Sequence, residues 1–152
     1  LLLLFFKKEY KLLDTSIYLI GHGFGTAIVL DFVFKNNWIN PIILISPFKS
    51  IFEIAKNLNK YNYLFEIAKQ FVDLNTIDVF DSTEKIKCPV KIIHGINNDF
   101  IKIGQAKELY KNLHNKDIKP NWINNCGHFD ILPKIDFVDL FNEIKKFSLL
   151  SI

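Results

Sequence analysis

Apolar and polar positions along this chain keep two rhythms. Three short runs are dense in β-branched or aromatic residues: Ser16–Ile20, Pro41–Ile45 and Pro89–Ile93. A fourth, Lys119–Ile123, is shorter and more polar. Each reads as a strand, and the unbroken Ile42-Ile43-Leu44-Ile45 is the pattern of a strand buried on both faces. Between them apolar residues recur three and four apart, the helical spacing. Thr26–Lys35 is apolar on nearly every side, so it is expected to pack deep against a sheet, with Asn36-Asn37 as its stop. Ile103–Leu113 places Ala106, Leu109, Tyr110 and Leu113 on one face. A last helix from about Asp136 turns Phe137, Leu140, Phe141, Ile144 and Phe147 inward. Leu1–Leu13 also has helical spacing, ended by Asp14-Thr15. Strand and helix alternate, which predicts βαβ units and an α/β fold with about four mostly parallel strands flanked by helices.

One region departs from that alternation. Residues 48–74 are apolar and helical with no strand, and read as a lid-like insertion in a single domain spanning 1–152. Inside it Ile51-Phe52-Glu53-Ile54-Ala55-Lys56 is echoed by Leu64-Phe65-Glu66-Ile67-Ala68-Lys69, but two copies are too few for a solenoid. Asp78–Lys87 is a polar connection.

Composition narrows the classes. With 49% hydrophobic and 23% charged residues the chain can bury a core, and disorder is excluded. The net charge of +3 comes from scattered lysines with no arginine and no basic run, a solvated surface and not a nucleic-acid interface. Cys88 and Cys126 have no CxxC spacing, which fits a reducing, cytoplasmic compartment, with a membrane-peripheral location the other option. Leu1–Phe6 is too short for a transmembrane segment or a signal core. The absence of an initiator methionine fits a sequence that opens inside a domain.

The chemistry gathers where strands end. Ligands of open α/β sheets bind beyond the carboxyl ends of the strands. Here those ends carry Gly21-His22-Gly23-Phe24-Gly25, Gly95-Ile96-Asn97-Asn98-Asp99 and Cys126-Gly127-His128. The first has the frame of a nucleophile elbow, G-x-S-x-G, with glycine in the serine's place. Taken in chain order the three loops present the elbow frame, a carboxylate at Asp99 and a histidine at His128, the kinds of group that serine-type acyl hydrolysis uses. A dinucleotide fingerprint would need glycine at Thr26 and an acid where the next strand ends in Ser46, and no P-loop is present.

Together, Ile20–Thr26, Cys88–Gly95 and Asn125–His128 resemble the C-terminal part of the α/β-hydrolase superfamily, in the group of monoacylglycerol-lipase-like enzymes and palmitoyl-protein thioesterases. The resemblance implies an ester or thioester hydrolase fold with no cofactor and no metal, acting on an acyl or lipid-like small molecule. It places the serine at Gly23, the acid at Asn98 and the histidine at His128, with Asp99 as a substitute acid. It gives the Phe24 N–H the role of oxyanion donor, between Gly21 and Gly25. Two of three catalytic groups are therefore lost, and the expected function is a catalytically inactive serine-hydrolase homologue. The rival is an active hydrolase with a non-standard nucleophile, for which Cys126 reads as a buried hydrophobe and Ser46 and Ser16 lie off the turn. His22 and His94 read as packing and His114 as a solvated helix end. The resemblance also implies strands missing before Leu1, which would leave 16–20 an open edge for those strands or for a protein partner, a second alternative role as an interaction module.

Overall fold

The computed structural model describes residue 9 and residues 17–51, 53–54 and 83–148. The expected helix over 1–13 and most of the 48–74 insertion lie outside the described residues. The β-branched runs form β1 (Leu19–His22), β2 (Ile42–Ile45), β3 (Val90–Gly95) and β4 (Asn121–Ile123). The periodic stretches form α1 (Gly25–Asn36), α2 (Ile103–Asn112) and α3 (Phe137–Ser148), with a 3-10 turn at Leu132–Lys134. All strand pairs are parallel, in the order β1-β2-β3-β4. β1 starts later than Ser16 and carries on into the glycines, and among the described residues it pairs with β2 alone.

Side chains of the two central strands divide by parity. Ile42, Leu44, Val90 and Ile92 join α1 and α2 in one cluster, through Ala27, Leu30, Val33, Ala106 and Leu109. Ile43, Ile45 and Ile93 join Cys126, Ile131 and α3 residues Leu140 and Ile144 in another. That is the period-two alternation of a sheet covered on both faces. Two helices are less buried than their patterns predict. In α1 Ile28 and Phe34 are exposed, because Thr26, Ala27, Leu30 and Val33 already fill the contact with the sheet. In α3 Phe141 is partly exposed and rests against Tyr18 and Phe137. Asn37 ends α1 in the left-handed conformation, with its N–H on the Val33 carbonyl.

A charge interrupts the apolar run of β3. Lys91 is 1% exposed and its Nζ donates to the Glu143 carboxylate at 2.7 Å, to the Lys119 carbonyl at 3.0 Å and to Asn121 Oδ1 at 3.0 Å. One ammonium thereby ties β3 to α3 and to the approach of β4, with all three donors used. His22 pairs with Ile45 and Ile45 with Ile93, so β1 and β2 end level, while β3 and β4 run two residues further and end together at Gly95 and Ile123. The loops that follow them meet above one edge.

Glu143→Ala should strand the Lys91 charge inside the protein and cost on the order of 1–3 kcal/mol. Lys91→Met, which removes charge and demand together, should cost less. Urea unfolding midpoints of the two variants check this order.

Candidate active site

Three loops build the site. β1 ends at His22, and Gly23 turns the chain at φ +54° before α1 begins. The Gly23 N–H donates to the Ile45 carbonyl at 2.9 Å, while the Gly23 carbonyl accepts the Thr26 hydroxyl at 2.6 Å and the Thr26 N–H at 3.0 Å. The turn folds back tightly: a Cβ on Gly21 would lie 2.6 Å from the Gly25 carbonyl oxygen. Any residue larger than glycine at 21 would therefore force the strand and helix apart. Gly25 opens α1, and a Cβ there would meet nothing within 4 Å.

The histidine loop crosses the end of β3. A Cβ at Gly95 would lie 2.3 Å from the Cys126 carbonyl oxygen, so the crossing requires glycine. Asn97 N–H donates to that same carbonyl at 2.9 Å, and Ile96 N–H to the Ile123 carbonyl at 2.9 Å. Asp130 accepts the Gly127 N–H at 2.7 Å and pairs with Lys134, whose ammonium also meets the Asn125 carbonyl. These bonds fix the position of His128.

The three family positions come together there. A Cβ on Gly23 would stand 3.2 Å from both Cε1 and Nε2 of His128. Asn98, 2% exposed, places its Nδ2 3.2 Å from His128 Nδ1. Asp99, by contrast, is exposed, makes no hydrogen bond among the described residues, and acts on His128 only as a nearby charge. Cys126 is buried in the α3-side cluster, where burial pushes its thiol pKa up, away from the thiolate a nucleophile needs. Ser46 is fully buried with φ +49°, and its hydroxyl accepts from Asn98 Nδ2 at 3.2 Å.

The network decides how the Asn98 amide is oriented. Ile101 N–H donates to Asn98 Oδ1 at 2.8 Å, so Nδ2 is the atom that faces the imidazole. Its two hydrogens go to Ser46 Oγ and His128 Nδ1. An NH2 group cannot accept, so Nδ1 carries the lone pair and the imidazole proton sits on Nε2. A triad needs the opposite: Nδ1–H held by a carboxylate, and a bare Nε2 to take the nucleophile's proton.

Burial holds the His128 pKa down to about 4, helped by His22 and His94 and opposed by Asp99. His22 stacks on His128 with ring centroids 4.8 Å apart, and burial lowers its pKa as well. His94 is fully buried with Nε2 2.9 Å from the Ile101 carbonyl, so it braces the loop whose N–H orients Asn98. Among the described residues no three His, Cys, Asp or Glu side chains gather as a metal site. His114 is exposed beyond the end of α2.

Aromatic rings enclose the imidazole. Phe100 lies 4.8 Å and Phe129 5.0 Å from it, centroid to centroid, and Phe24 meets Phe48 and Phe100 edge-on. Sequence reasoning passed over Phe48, Phe100 and Phe129. Two of them directly follow Asp99 and His128, and that adjacency to motif positions was the available signal.

A parallel sheet with elbow, acid and histidine loops over one edge defines an α/β hydrolase, and the chain belongs to that superfamily. It is 40% identical over 144 residues to a protein designated an α/β hydrolase in Acanthamoeba polyphaga mimivirus, covering 95% of this chain and 51% of that one. It is 25% identical over 125 residues to α/β hydrolase domain-containing protein 17C of Xenopus tropicalis, covering 82% of this chain and 37% of that one. The chain thus spans about half or less of these relatives' lengths. Among solved structures, a Pyrococcus furiosus esterase superposes with TM-score 0.70 at 19% identity, over 98% of this chain and 58% of that one. A metagenomic α/β hydrolase from lagoon sediment gives 0.67 at 20% identity, over 95% and 66%. These structural likenesses carry the fold alone. No protein-family model matches the chain. Among the described residues no helix is long and apolar enough to cross a membrane.

The depressed His128 pKa makes stability depend on pH. An unfolded histidine titrates near 6.5, so between about 6.5 and 4 the unfolded chain binds a proton that the folded one refuses. Stability should be full above pH 6.5 and fall as the pH drops toward 4, by on the order of 3 kcal/mol in all. Urea midpoints at pH 7 and pH 5 measure the slope, and His128→Gln should flatten it, leaving the part due to His22 and His94.

Proposed function

We propose that this is a serine-hydrolase-like domain of the ester or thioester (acyl) type that has lost turnover and keeps its site for binding an acyl or lipid-like molecule. The observation that carries the reading is the Asn98 amide donating to His128 Nδ1. Gly23 removes the nucleophile, and the amide independently removes the base, because a proton on Nε2 leaves nothing to accept one from a serine or a water. Cys126 and Ser46 are poor replacements, since both are fully buried and neither hydrogen-bonds His128 among the described residues. In serine proteases the same Asp-to-Asn change costs about 10⁴ in turnover through the wrong tautomer.

The surroundings of Asn98 would suit an aspartate equally: Ile101 N–H, the Ser46 hydroxyl and an Nδ1–H could all donate to it. Two losses that act as a unit should be restored only together. The natural chain should show no fluorophosphonate labelling at serine and no turnover of p-nitrophenyl or thioester acyl substrates. Gly23→Ser alone should stay about 10³–10⁴-fold below Gly23→Ser with Asn98→Asp. Specific labelling of a serine in the natural protein would sink the reading.

A further inference from the structure

The proton placement that removes a base also creates a donor. His128 is 7% exposed, and its Nε2–H has no acceptor among the described residues. Glycine at 23 leaves that N–H uncovered on the side where a side chain would begin, since a Cβ there would come within 3.2 Å of Nε2. Next to it stands the N-terminus of α1, twelve residues long. Phe24 is its N-cap, with no side-chain capping bond, and the first turn holds no acidic residue. The Phe24 N–H has no acceptor among the described residues. The Gly23 and Phe24 carbonyls take the Thr26 and Ala27 N–H groups, but no side-chain cap or carboxylate of the first turn offsets the positive end of the helix.

Two donors from separate elements, one of them on a buried ring, suit an oxygen that carries negative charge. Its charge should be single. The ionisable groups acting on His128 are His22, His94 and Asp99, with no lysine among them, so a phosphate dianion would lack counter-charge. Asp99 opposes any anion, but it is exposed and screened by water. The body of the ligand is set by the rings: the half-buried Phe24 and the 80% exposed Phe129 offer apolar and edge contacts beside the donors, backed by the buried Phe48 and Phe100.

We infer that the site binds a free carboxylic acid with an apolar chain, its carboxylate taking the His128 Nε2–H and the Phe24 N–H. A hydrolase site releases such an acid as product; here the reversed tautomer favours holding it. The inference rests on the reading of an inactive site given above and adds the ligand's chemical class to it.

Calorimetric titration of the full chain at pH 7 with decanoate, methyl decanoate and decylamine tests it. Decanoate should bind at least about tenfold more tightly than its methyl ester, and decylamine should not compete. Gly23→Ala, which sets a methyl group against Nε2, and His128→Ala should each weaken decanoate by about tenfold or more, with circular dichroism confirming the fold. The ligand panel needs no variant and decides the question even if both substitutions unfold the protein. Equal binding of acid and ester, or preference for the ester without its hydrolysis, would overturn the carboxylate inference and leave the inactive reading standing. Conversion of methyl decanoate to decanoate in the calorimeter cell would overturn the inactive reading itself.

Discussion

The site is governed by the direction of one hydrogen bond. Asn98 gives its Nδ2–H to His128 Nδ1, and it cannot do otherwise while Ile101 N–H occupies its oxygen. A single atom, nitrogen in place of oxygen, moves the imidazole proton to the opposite ring nitrogen. Around it, a Cβ at Gly23 would stand 3.2 Å from Nε2, and His22 stacks on the ring. With a carboxylate at 98 the donor would be the ring, and with the amide it is Asn98.

The rest of the fold serves to hold that bond. Carboxyl ends that fall within two residues of one another in a parallel sheet bring three loops from distant parts of the chain to one edge. Two close approaches, at Gly21 and Gly95, let the elbow helix and the histidine loop draw in by the width of a side chain. His94, buried under the loop, anchors the Ile101 carbonyl and with it the N–H that fixes the amide. On the other face, the Lys91 ammonium joins β3 to α3, below the strand that carries Gly95. The depressed basicity of His128 follows from the same packing, because the rings that enclose it exclude water.

The hydrophobic pattern made the four strands, their parallel arrangement and the three described helices legible, since unbroken β-branched runs and helical spacing both reflect burial. It misplaced the start of β1, where Tyr18 and Ile17 are as apolar as the strand itself but lie outside the ladder. It also overstated burial of Ile28, Phe34 and Phe141, because a helix needs only one filled face against a sheet. The loop positions Gly23, Asn98 and His128 were legible from motif spacing and converge in the structure. Motif spacing also allows Asp99 as a substitute acid, and the structure keeps it in solvent. The tautomer was beyond sequence reasoning: it depends on the Ile101 N–H, whose reach to Asn98 is a matter of loop conformation. So was the aromatic surround, which assembles from Phe24, Phe48, Phe100 and Phe129 only after the sheet brings their loops together.

The site turns on the position of one proton, and nitrogen NMR reads it directly. In the full chain with ¹⁵N-labelled histidine at pH 7, long-range proton–nitrogen correlations distinguish a protonated from a bare ring nitrogen. His128 should show a protonated Nε2 and a bare Nδ1, and Asn98→Asp should exchange the two. A proton on Nδ1 of His128 in the natural protein would contradict the account.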